Sequence, residues 1–195
     1  YPGGVSFHAY DLGDTKAMHG FVKRIITEDG NLYGLVNNAA LGHDGVLATM
    51  HNSQIDELIR VNVLSPILLT KYVARNMIVQ NEGRIINISS IIANTGFNGL
   101  SVYGASKAAM VGFTKSLARE LGRANITVNS IAPGFLTTDM TKSLKGDNLD
   151  SIKRRSPLNR LAHIDDVAHA VSFLLSNAAS SITGTTITVD AGSTS

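Results

Sequence analysis

Cysteine is absent from the chain. That excludes a disulfide framework and any thiolate metal site, and it suits a reducing compartment, so a cytoplasmic protein is expected. No apolar run approaches the roughly 20 residues of a membrane-crossing helix, and no secretory pattern stands at the start, so no membrane partner is expected. An excess of either charge is lacking too: 17 Lys and Arg face 15 Asp and Glu, which argues against bulk nucleic-acid binding. His8, His19, His43, His51, His163 and His169 include no i, i+4 pair and no ligand grouping, so no metal site is expected. Linkers, repeats and low-complexity tracts are missing as well. With 44% apolar residues in 195, the chain reads as one domain with one sizeable core.

What is present is alternation. Helical periodicity predicts helices over residues 15–28, 53–80, 103–122 and 164–176, and short apolar runs predict strands at 5–10, 32–37, 84–88, 126–132 and 186–189. Strands alternating with helices define an α/β fold, a doubly wound parallel sheet of Rossmann type with right-handed crossovers. Asp14, Ser53 and Asp165 are candidate N-caps, and Gly122 a helix stop. Residues 133–157 have little periodicity and read as a substrate lid with a short helix near 149–155, or else as a plain surface loop.

Four residues carry candidate chemistry. Tyr103 and Lys107 stand at i and i+4, on one helix face, where an ammonium near the phenol favours the phenolate and lowers its pKa toward the useful range. Ser90 follows a strand, at the sheet end where open α/β sheets bind ligands, and could hold a carbonyl or alcohol oxygen. Asn62 precedes Pro66 by four residues within one helical pattern. Proline has no N–H, so the Asn62 carbonyl at the kink could hold a relay water, or Asn62 could simply cap a bend. Each feature alone also reads as ordinary structure; the order of all four points to a proton-delivery site.

Asn37-Asn38-Ala39-Ala40, Asn62, Ser89-Ser90, Tyr103-x-x-x-Lys107, Pro133-Gly134 and Val189-Asp190-Ala191-Gly192 together resemble the short-chain dehydrogenase/reductases along nearly the whole chain. Residues 133–141 and the ending 182–192 look most like the 3-oxoacyl-[acyl-carrier-protein] reductases. The resemblance implies hydride transfer between a nicotinamide dinucleotide, NADP(H) more than NAD(H), and a carbonyl carbon. The substrate it implies is a 3-oxoacyl thioester, with a steroid, sugar or small alcohol product as the alternative. It implies Ser90 as oxygen binder, Tyr103 as proton donor, Lys107 as the residue that lowers the tyrosine pKa and holds the nicotinamide ribose, and Asn62 as water anchor. Asp11 and Leu12 would lie beside the adenine, Asn38 and Ala39 along the adenosine ribose, and Gly134, Leu136 and Thr138 at the carboxamide. Two departures from the family pattern, Ala40 and Ala191 in place of glycines, are expected to be tolerated.

A third departure concerns the phosphate turn. The family's Thr-Gly-x-x-x-Gly-x-Gly turn, with its first two strands, has no counterpart in this sequence. Those strands belong between strands 5–10 and 32–37, about three strand spacings or roughly 14 Å. An N-terminally incomplete domain is therefore expected, the rival being a smaller sheet in which 5–10 pairs directly with 32–37. A non-catalytic assembly remnant is the functional rival. Lys142, Lys145, Lys153, Arg154 and Arg155 could receive an acidic acyl-carrier protein or form a solvated face. Asn81 and Ala124 replace the arginines the reductases carry, with Arg84 and Arg123 only nearby. A homotetramer is implied, supported by surplus apolar residues Ile67, Leu68, Leu69, Val111, Phe113 and Leu117.

Overall fold

A computed structural model describes residues 4–136 and 153–195 of the chain. Thr138, Lys142, Lys145 and most of the expected lid helix lie outside the described residues. The elements run α1 (Met18–Asp29), β1 (Gly34–Asn37), α2 (Asn52–Ile59), α3 (Ser65–Gln80), β2 (Gly83–Ile88), α4 (Ile92–Thr95), α5 (Ser101–Leu121), β3 (Ile126–Pro133), α6 (Ile164–Leu175) and β4 (Thr186–Val189). The strands form one parallel sheet in the order β1-β2-β3-β4, with Leu35 opposite Ile85, Ile85 opposite Val128, and Ile131 opposite Ile187.

Helices cover both faces, and strand alternation explains how. Ile85 and Val128 join Val22 of α1, Val73 and Met77 of α3, and Leu117 and Leu121 of α5 in one core cluster. Ile86, one residue on from Ile85, and Ile131, three on from Val128, turn the other way and pack with Leu174 of α6. Successive side chains leave a strand on opposite faces, so a strand apolar at every position is buried on both sides, as parallel sheets require.

The expected strand at 5–10 does not form. Those residues run outside any ladder, and Val5 and Phe7 are 88% and 89% exposed. A strand exists only through its neighbour's hydrogen bonds, and β1 pairs with β2 alone among the described residues. The segment leans on α1 instead: the Tyr10 and Phe21 rings stack at 4.1 Å, and His8 bonds Asp29 at 2.5 Å. The direct re-pairing alternative is not adopted either.

The long helix expected at 53–80 is interrupted by a π turn, Arg60–Leu64, at the foreseen place. Pro66 cannot donate to Asn62, the turn widens, and the Ser65 N–H bonds the Arg60 carbonyl five residues back. The Ser65 hydroxyl also reaches Arg60 O, at 2.9 Å, and the Leu12 carbonyl, tying the loop before α1 to the bulge. Two caps differ from expectation. His51 rather than Ser53 opens α2, its N–H bonded by Gln54 Oε1 at 3.2 Å. His163 rather than Asp165 opens α6, its N–H bonded by Asp166 Oδ2 at 2.8 Å. In both, the carboxyl or amide reaching back from the third helical position satisfies the end. Asp14 does accept from the N–H groups of Lys16 and Ala17, in the turn leading into α1.

Candidate active site

The C-terminal ends of β2 and β3 deliver two loops to one place. Ser89 N–H bonds Ile131 O at 2.7 Å and Ile91 N–H bonds Pro133 O at 3.0 Å, so Ser90 sits beside the start of the Pro133-Gly134 loop. From the other side, α5 presents Tyr103 and Lys107 one turn apart. The Ser90 hydroxyl lies close enough to the Tyr103 phenol to act on its pKa. Ser90 also receives the Ile92 N–H at 3.2 Å, which holds its Oγ in place at the head of α4. Lys107 is 5% exposed, and its Nζ lies 5.7 Å from the Tyr103 ring centroid while donating to Ile88 O at 2.9 Å.

The electrostatics differ from the simple i, i+4 expectation. Burial raises the Tyr103 pKa above the ordinary phenol value, and the Ser90 hydroxyl only partly opposes it. The neighbouring ammonium does not produce the expected lowering, because its Nζ is turned to the Ile88 carbonyl and desolvation of the phenol dominates. Lys107 itself is pushed down to about 8 by burial. The tyrosine is thus a proton-holding acid and the lysine the group that titrates near neutrality.

Asn62 is 3% exposed, and its amide is spent on the protein. Its Oδ1 accepts Leu41 N–H at 2.8 Å, while Nδ2 donates to Leu41 O at 2.8 Å and to Ser106 Oγ at 3.2 Å. Ser106 in turn donates to Tyr103 O at 2.7 Å. The Asn62 side chain thus joins the turn after β1 to the tyrosine's own backbone through Ser106. Ser106 and Leu41 were missed. A buried helical serine three residues after the tyrosine, able to bond back to its carbonyl, was the available signal.

The nucleotide-side residues also converge. Leu12 lines both a cavity of about 700 Å³, with Asp11, Gly13, Leu41, Arg60 and Val61, and a neighbouring one of about 60 Å³, with Asn38 and Ala39. A carboxylate, a tight backbone turn and a buried ammonium fit the adenosine and nicotinamide-ribose ends of a dinucleotide. Pyrophosphate would need the N–H groups of a glycine turn that is not in the sequence. Gly134 has a packing reason of its own: a Cβ there would lie 2.5 Å from the Asp190 Cβ. Its N–H bonds Val189 O at 2.9 Å, and Leu136 pairs with Ala162. Of the two arginines near the missing basic positions, Arg84 is 2% exposed with its guanidinium against the Tyr33 ring and Gly83 O, so it is closed to a partner. Among the described residues no group of His, Asp or Glu is arranged to hold a metal ion, and no helix is long and apolar enough to cross a membrane.

A doubly wound sheet with serine, tyrosine and lysine at its C-terminal edge defines a nicotinamide-dependent oxidoreductase. The family model described as enoyl-(acyl carrier protein) reductase matches residues 2–194. The chain is 40% identical over 182 residues to the 3-oxoacyl-[acyl-carrier-protein] reductase FabG of Escherichia coli, covering 93% of this chain and 75% of that one. It is 41% identical over 170 residues to carbonyl reductase family member 4 of Xenopus laevis, covering 87% and 70%. A gluconate 5-dehydrogenase from Burkholderia cenocepacia, solved with NADP and tartrate, superposes with a TM-score of 0.91 at 28% identity, covering 95% and 73%. The chain belongs to the short-chain dehydrogenase/reductase family and is an NAD(P)-dependent oxidoreductase.

Proposed function

We propose that the protein reduces a 3-oxoacyl thioester to its 3-hydroxyacyl form, with NADPH as reductant. The observation that carries this reading is the buried Tyr103 phenol with the Ser90 hydroxyl beside it and the Lys107 ammonium behind it. When bound, the nicotinamide supplies the hydride. Ser90 Oγ–H holds the carbonyl oxygen, and Tyr103 Oη–H, kept protonated by burial, gives its proton to that oxygen as negative charge develops there. Lys107 supplies positive charge beneath the phenol and a donor for the nicotinamide ribose. The Asn62 carbonyl, to which Pro66 offers no N–H, is the acceptor for a water that returns protons from solvent. Asp11, Leu12, Asn38 and Ala39 take the adenosine end; Gly134, Leu136 and Thr138 take the carboxamide.

The thioester assignment draws on the 40% identity to FabG, and the NADP preference on the NADP-bound structural neighbour. An acyl-carrier protein as donor of the thioester, a homotetramer built through α3 and α5, and a cytoplasmic setting complete the proposal. The test is nicotinamide absorbance with NADPH and acetoacetyl-CoA. Tyr103→Phe lowers kcat by on the order of 10² to 10⁴; a fully active Tyr103→Phe overturns the mechanism, and failure to bind NADPH at all supports the assembly-remnant reading. Because Tyr103 holds its proton and Lys107 titrates at about 8, kcat/KM for reduction falls as pH rises through about 8. A flat pH profile from 7 to 10 would remove Lys107 from the proton path.

A further inference from the structure

Three loops meet around the Ser90–Tyr103 pair, and each carries apolar side chains outward. The loop joining Ser90 to Tyr103 bears Phe97, 52% exposed, and its Gly99 carbonyl accepts Gly45 N–H at 3.0 Å, which brings Val46 and Leu47, 61% and 54% exposed, alongside. The Pro133-Gly134 loop, bound to Ile91 next to Ser90, bears Phe135, whose ring meets Phe97 edge-on at 5.8 Å and 63°. No charged side chain lies on the Gly96–Leu100 stretch, whose sequence is Gly-Phe-Asn-Gly-Leu. The Phe97 ring stands half exposed on the loop that joins Ser90 to Tyr103.

We infer that Phe97 and Phe135 form the wall that receives the substrate's chain, and that they select carbonyl compounds bearing an extended apolar chain over small hydroxylated ones. The inference rests on the reductase reading of the site and names which substrates it takes. An edge-to-face aromatic pair offers a flat apolar surface at little entropic cost, since each ring has only two torsions to fix. Full burial of a methylene is worth about fourfold in affinity, and a one-sided wall captures part of that per carbon.

The experiment measures binding and turnover separately. Calorimetric titration with the N-acetylcysteamine thioesters of 3-hydroxybutyrate and 3-hydroxyoctanoate, products that need no hydride step, is expected to show the octanoyl form binding at least about tenfold more tightly. Phe97→Asn and Phe135→Ala each shrink that ratio to less than about threefold. Phe97 is half exposed, so Phe97→Asn keeps the wild-type melting temperature, and Phe135→Ala is an independent second probe. Equal binding of the two thioesters by the wild type, or a ratio unmoved in both variants, overturns the wall. Chain-length-dependent binding without turnover of any 3-oxoacyl thioester overturns the reductase reading and leaves the wall standing. Faster turnover of a polyhydroxylated keto acid than of 3-oxooctanoyl thioester overturns the selectivity.

Discussion

Lys107 shows how one residue can serve chemistry at a cost to stability. Its folded pKa lies at about 8, below the ordinary lysine value, so below pH 8 the fold carries a buried ammonium that the unfolded chain holds in water. Between about 8 and 10.5 the unfolded state binds the extra proton, so this group's penalty fades as pH rises. Lys107→Met is therefore expected to raise stability at pH 7 by about 3 kcal/mol while losing activity. Denaturant midpoints of the two proteins should converge toward pH 10; a less stable Lys107→Met at pH 7 would contradict the burial argument. Ala191 is the reverse case. Expected from the sequence to be tolerated in place of glycine, it has a φ of 57°, in the left-handed region where a Cβ costs about 1 kcal/mol. Ala191→Gly should raise the melting temperature by several degrees. Asn62→Leu should cost about 2 kcal/mol or more, since it strands both Leu41 backbone groups as well as Ser106, and thermal unfolding would report it.

Elements matter here through their ends. The β4 terminus turns at Asp190, whose carboxylate accepts from Gly192 N–H at 2.8 Å, Thr194 N–H at 2.9 Å and Thr194 Oγ1 at 2.6 Å. Burial pushes this carboxyl up, but the Thr194, Gly192 and Ser193 donors outweigh it and leave it below the usual range. That turn is the platform under Gly134 on one side and takes the Ser156 hydroxyl on the Ala191 carbonyl on the other. A carboxyl with a depressed folded pKa contributes stability above the carboxylate range and loses it as pH falls through the folded value. Asp190→Asn should cost about 2 kcal/mol near neutrality and progressively less in acid. Urea midpoints between pH 3 and 7 check this, and a constant difference would show that the charge is not what holds the turn. The π turn at Arg60–Leu64 was legible as a kink because a missing N–H is a covalent fact, whereas the Ser65 bond to the Leu12 carbonyl was not, since Leu12 comes from another part of the chain.

At the scale of the whole molecule, apolar side chains stand exposed on the helices as well as along the sheet: among the described residues Leu64 and Ile78 are 44% and 47% exposed. Because the proposed homotetramer is built through α3 and α5, Ile78→Lys should reduce self-association in sedimentation velocity without lowering the melting temperature; unchanged association would place the contact elsewhere.

The sequence by itself determined the class of fold and the placement of Tyr103 and Lys107 on one helix face. Unbroken apolar strands such as Ile85-Ile86 can only be buried on both faces, and the Tyr103–Lys107 spacing follows from the pitch of a helix. Tertiary structure alone decided what those residues experience. Whether residues 5–10 make a strand depends on a neighbour, whether Asn62 is free depends on Leu41, and whether Tyr103 gains or loses acidity depends on how deeply α5 is buried against β2. Local covalent geometry is written in the order of residues; solvation and hydrogen-bond partnership arise only when distant segments exclude water from one another.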